Sequence, residues 1–180
     1  MSSMRASRYL VFRLCGAAVL ALSAPVAAAH EAEEMRPPVW DMIAFEVKSW
    51  GNTVHRWQFT PEYGGVWIEN VAADGMPTGP ASYAFHPLDA DGARYAMLEA
   101  IALKLPDPAP ESDRCENFVT DMPYGTIRLT RGATTTEIAW NAGCMDEDYA
   151  AFSALLRQAD ELVSGWGKAA PVGRTDTRPD

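Results

Sequence analysis

The residues that could do chemistry are few: three histidines, two short acidic clusters and three well-separated cysteines. His30, His55 and His86 are the only side chains whose ordinary pKa lies near neutrality. If a leader is cleaved after Ala29, His30 becomes the first residue. Its amine and imidazole would then suit a tetragonal copper ion, with His55 or His86 needed as a further ligand. Nothing in the sequence fixes either partner beside it, so no metal or cofactor is expected. Asp89-Ala90-Asp91-Gly92 begins like a calcium loop, but position twelve is Ala100 where such a loop needs Glu. A helix cap explains the stretch instead. Asp146-Glu147-Asp148 fits the positive end of a helix, and Asp121, before Met122-Pro123-Tyr124-Gly125, reads as a turn residue. There is no Gly-x-Ser-x-Gly elbow, no His-Glu-x-x-His run, no phosphate-cradling loop and no dinucleotide fingerprint. No catalytic residue is therefore expected.

A folded domain must position these residues, and its extent is bounded first by the N-terminus. Arg5, Arg8 and Arg13 precede an uncharged, Ala-, Leu- and Val-rich run from Leu14 to Ala29, which ends in three alanines. This is the pattern of a signal peptide over 1–29. The run is short, broken by Pro25 and succeeded by Glu31, Glu33 and Glu34, which argues against a membrane span. Removing it takes Cys15 and three Arg. That leaves 12 Lys and Arg against 24 Asp and Glu, a formal charge of −12. So acidic a surface repels nucleic-acid phosphates and anionic lipids, so neither is expected as a partner. Cys115 and Cys144 are the pair that remains, and in a periplasmic or secreted protein they predict a disulfide.

Periodicity orders the rest. Residues 30–39 are acidic and end in Pro37-Pro38, an extended arm. Ile43, Phe45 and Val47 alternate with Ala44, Glu46 and Lys48, Gly51-Asn52 marks a turn, and His55, Trp57 and Phe59 alternate in turn, which predicts a hairpin. Residues 66–71 form a third strand, 72–81 a loop and 82–86 a short fourth strand. Asp89 or Asp91 caps a helix whose apolar face is Tyr95, Leu98, Ala102 and Leu105, ended by Pro106. Residues 126–131 and 134–140 make a second hairpin around Gly132. Asp146 caps the last helix, with a stripe of Phe152, Leu155, Leu156, Ala159, Leu162, Val163 and Trp166 and with Arg157, Gln158, Asp160 and Glu161 opposite. Gly165 and Gly167 are expected to end it, and 168–180 to be a disordered tail. The prediction is one α+β domain over 40–167, an antiparallel sheet of five to six strands with two helices packed on one face.

Six tryptophans are many for this length. Most fall at core positions; Trp50 and Trp67 are the expected exposed pair, because Trp50 lies at a turn and Trp67 is out of phase with Val66 and Ile68.

Trp40-Asp41-x-Ile43-x-Phe45, Ser49-Trp50-Gly51, Cys115, Asp121-x-Pro123-Tyr124-Gly125-Thr126, Arg131-Gly132-Ala133-Thr134, Gly143-Cys144 and Ala159-Asp160-x-Leu162-Val163-x-Gly165-Trp166 carry a resemblance to a family of uncharacterised bacterial exported proteins. The element order is also similar to that of emfourin-like protein inhibitors of metalloproteases. This likeness implies an inhibitor of an extracytoplasmic enzyme, but transfers no site residue. The expected function is a non-enzymatic periplasmic or secreted binding protein whose partner is another exported protein. A hydrolase using scattered carboxylates and a copper- or small-ligand-binding protein stand as alternatives.

Overall fold

The computed structural model describes residues 37–71 and 81–177. The expected signal segment, Cys15, His30, most of the expected acidic arm and nearly all of the 72–81 loop lie outside the described residues. Seven strands form one antiparallel sheet: β1 (Met42–Ser49), β2 (Asn52–Thr60), β3 (Gly64–Asn70), β4 (Ser82–Leu88), β5 (Tyr124–Arg131), β6 (Thr134–Asn141) and β7 (Arg174–Thr177). Two helices, α1 (Gly92–Ala102) and α2 (Glu147–Ala169), complete the α+β fold. Spatial order is β6-β5-β1-β2-β3-β4-β7. Short turns join β1 to β2 and β2 to β3, β4 pairs with β3, and the β5–β6 hairpin docks on the free side of β1.

Two chain crossings explain the helices. Helix α1 carries the chain from β4 back to β5, next to β1. Helix α2 leaves β6 at one edge and delivers the chain to β7 at the other. Six inter-strand gaps span about 29 Å at ~4.8 Å each. A 23-residue helix covers about 34 Å. The crossing therefore needs a helix of this length, and α2 runs through Gly165 and Gly167 rather than stopping at them. Gly167 has a packing role: a Cβ there would collide with the Trp67 side chain.

The helices cover the sheet face bearing Ile43, Phe45, Val47, Trp57, Phe59, Trp67, Ile127, Leu129 and Trp140. Phe45 stacks between Trp57 and Trp140, with centroid distances of 5.5 and 5.2 Å. Trp140 and Phe45 lie two strands apart. Gly125 on the intervening strand has no side chain to block the Trp140 ring from reaching across. On α1, Tyr95, Leu98, Ile101 and Ala102 are buried, and the Asp91 side chain caps the helix at the Arg94 N–H (3.0 Å).

The structure corrects three further expectations. Trp67 is a core residue, 2 % exposed. Val66 and Ile68 point to the uncovered face of the sheet, so apolar residues occupy both faces of β3 and its phase is ambiguous in sequence. Second, Arg174–Thr177 forms β7 on β4 where composition predicts a disordered tail; the Arg174 guanidinium lies 4.1 Å from the centroid of the Phe85 ring. Third, Asp160 turns inward from α2, toward the Trp57 indole.

Candidate interaction surface

The polar residues most suggestive of chemistry are consumed beneath α2. Trp57 and Trp67 are neighbours on β2 and β3, both buried, and each indole N–H must find an acceptor. Helix α2 supplies them one turn apart. The Trp57 N–H donates to Asp160 Oδ1 at 2.9 Å and the Trp67 N–H to Ser164 Oγ at 3.1 Å. Ser164 in turn donates to Asp160 at 3.3 Å, and His55 Nε2 meets both Asp160 oxygens at 2.8 and 2.9 Å. The serine hydroxyl thus faces a carboxylate and an indole, so no histidine activates it as a nucleophile. His86 sits across the Trp67 ring (5.0 Å), with Nδ1 on the Ala170 carbonyl (2.9 Å) and Nε2 3.3 Å from Glu69. That Nε2–Glu69 approach is an ion-pair distance without hydrogen-bond geometry.

The two described histidines are therefore each matched to a separate carboxylate. Among the described residues, the one group of three or more His, Cys, Asp and Glu close enough to share an ion is Cys115, Cys144 and Asp146. Its sulfurs are already joined in the expected disulfide, with a Cα–Cα distance of 5.7 Å.

Asp146 precedes α2 but makes no side-chain bond to its first turn. Its carboxylate instead accepts from the Glu116 N–H (2.8 Å), the Asn117 N–H (2.9 Å) and the Asn117 side-chain amide (2.9 Å). These donors hold its pKa below the ordinary carboxylate value. A depressed pKa contributes stability above the unfolded-state value, and that contribution is lost as pH falls through the folded-state value. Asp146→Asn should therefore flatten the acid limb of the stability profile, below the ordinary Asp range, and leave its slope at neutral pH unchanged; urea midpoints across pH check this.

The disulfide and Asp146 are two of several ties on residues 115–119. The Val119 N–H bonds the Gly143 carbonyl and the Met145 N–H bonds the Asn117 carbonyl, both at 2.8 Å, and Phe118 bridges to Cys144. This fastening presents Phe118 and Val119 outward, 48 and 50 % exposed. Across from them stands Trp50, 70 % exposed at the β1–β2 turn. Trp50, Phe118, Asp121 and Met122 line one concavity of about 220 Å³. Trp50 has φ 51° and Asp121 φ 65°, and among the described residues these are the non-glycine residues with positive φ. Both strained positions thus face the same concavity. The Tyr124 hydroxyl, 3.1 Å from the Gly51 N–H, secures the Trp50 turn from β5.

Sequence reasoning places Trp50 correctly through its turn. It misses Phe118, Val119 and Met122, which lie in a segment without periodicity. Among the described residues, no helix is long and apolar enough to cross a membrane. Neither family models, nor curated proteins, nor solved structures match the chain.

Proposed function

We propose that this chain is a non-enzymatic periplasmic or secreted interaction protein that binds another exported protein through the Trp50 concavity. The observation that carries this reading is a largely exposed tryptophan, held in a left-handed backbone conformation, beside Phe118 and Met122. Left-handed backbone costs a non-glycine residue about 1–2 kcal/mol, and strain of this kind gathers at functional sites. Exposed Trp beside apolar neighbours is the composition of a binding hot spot. The ties on 115–119 order the loop in advance, which lowers the entropy lost on association.

Asp121 lines the concavity, no Lys or Arg does, and the whole chain carries a formal charge of −9. The partner surface is therefore an apolar pocket rimmed by Lys and Arg. An exported enzyme inhibited by this chain satisfies that description, and the emfourin-like element order favours it.

Trp50→Gly separates binding from folding. Glycine accepts φ 51° freely and little buried area is lost, so stability should rise by about 0.5–1 kcal/mol. Partner affinity should fall at least tenfold, the loss of about 2 kcal/mol typical of a hot spot. The test is affinity capture from an exported proteome with tagged wild type and variant side by side. A partner retained by wild type and lost by Trp50→Gly supports the reading; identical capture by both proteins overturns it.

A further inference from the structure

We infer that a groove along the β6 edge is a second docking site, built for an extended, cationic peptide segment that adds to the sheet as a strand. The groove lies between β6 and the connector after α1, encloses about 950 Å³ and shares no lining residue with the Trp50 concavity. The inference does not depend on the Trp50 reading.

The hydrogen-bond phase of the hairpin establishes which backbone groups are free. The Ala142 N–H donates to the Pro123 carbonyl and the Asn141 N–H turns away to the Tyr149 hydroxyl. Antiparallel pairs alternate between bonded and non-bonded. Counting back along the register, Thr135, Glu137 and Ala139 are in non-bonded pairs with β5, so their N–H and C=O groups point outward. Strand β6 is the last in the sheet order, and among the described residues no strand pairs with that side. Three consecutive outward positions are enough to pair about five residues of a visiting chain.

The opposite wall contains Pro106, Pro108 and Pro110, whose φ is set by their rings and which offer no N–H to compete for the edge. Leu105, Ala109, Ile138 and Trp40, all partly buried, give the groove an apolar lining for alternate side chains of the visitor. The charge of the lining selects the rest of its chemistry. Asp107, Glu111, Asp113 and Glu137 line the groove, and no Lys or Arg does; Arg114 and Arg128 reach only Glu111 and Glu137 from outside. A second copy of so acidic a protein is repelled by this lining. A strand alternating basic and apolar residues satisfies both the edge and the lining. This is strand addition, where backbone bonds give affinity and the pockets give selectivity.

The experiment titrates the exported full chain with a fluorescein-labelled peptide alternating Lys and Val, against its Glu–Val counterpart, by anisotropy and amide hydrogen exchange. The Lys–Val peptide should bind with strong salt dependence and slow exchange at Thr135, Glu137 and Ala139, while the Glu–Val peptide should not bind. Ala139→Pro removes an outward donor at an edge, where proline is tolerated, and should weaken binding about tenfold. Asp107→Asn with Asp113→Asn should weaken it and reduce the salt slope. Unchanged exchange at those three amides under saturating peptide, equal binding of the two peptides, or concentration-dependent self-association that excludes the peptide would each overturn the inference. The wild-type exchange result decides the matter even if a variant fails to fold.

Discussion

Replacing Cys115 and Cys144 together by Ser should cost about 3.5 kcal/mol of stability, the chain-entropy value for the 29-residue separation they close. For a domain of this size that is a fall in Tm of roughly 10 °C. The bridge has more to hold than loop length alone suggests. It sits inside the group of ties that also includes the Asp146 carboxylate and the backbone bonds between 117–119 and 143–145. These local bonds persist only while the segment stays docked, so the substitution should also loosen residues 115–119 in the native state. Thermal melts give the first quantity, and hydrogen exchange at Val119 and Met145 the second. A Tm within about 3 °C of wild type would show that the other ties suffice, since a loss of ~3.5 kcal/mol predicts a far larger shift.

Asp160→Ala should be the most damaging single polar substitution beneath α2, at about 3 kcal/mol. It removes the acceptor of the buried Trp57 indole and the partner of His55 and Ser164 in one step. The penalty is mostly the desolvated donor left behind rather than the lost bond. Two companions test that account. Asp160→Asn keeps an oxygen for Trp57 and should cost only about 1 kcal/mol. Trp57→Phe in the Asp160→Ala background removes the orphaned N–H, so the double variant should lose less than the sum of the single ones. Additive losses in urea unfolding would mean that the indole bond is not what Asp160 supplies.

The sequence patterns reach some parts of this molecule and not others for physical reasons. Both hairpins and the α2 stripe are local periodicities, and they stand where the patterns put them. The disulfide follows from Cys115 and Cys144 being the pair left once Cys15 is set aside with the expected signal segment. Helical spacing alone puts Asp160 on the solvent side of α2, beside Arg157 and Glu161. Its inward turn answers a need on β2 and β3 that no helical pattern records. Ser164 is buried for the same reason, as the acceptor for Trp67. Strand β7 carries no apolar alternation; it forms because β4 has a free edge and Phe85 offers a face to Arg174. At the candidate surface, Trp50 is legible through its turn, whereas Phe118 and Met122 join it only once the disulfide and Asp146 fasten 115–119 to the connection between β6 and α2. The β6 groove is invisible in the sequence, because its two walls are separated along the chain and meet only in space.

The match between α2 and the distance it bridges limits how this architecture can change. Inserting a strand anywhere between β6 and β7 would widen the span by about 4.8 Å, which an α-helix makes up with roughly three residues. Those residues fall short of a full turn and leave everything after them about 60° out of phase, swinging Ser164 and Gly167 away from the Trp67 ring. Strand number and helix length are therefore coupled here: the sheet cannot be widened without a compensating change in α2.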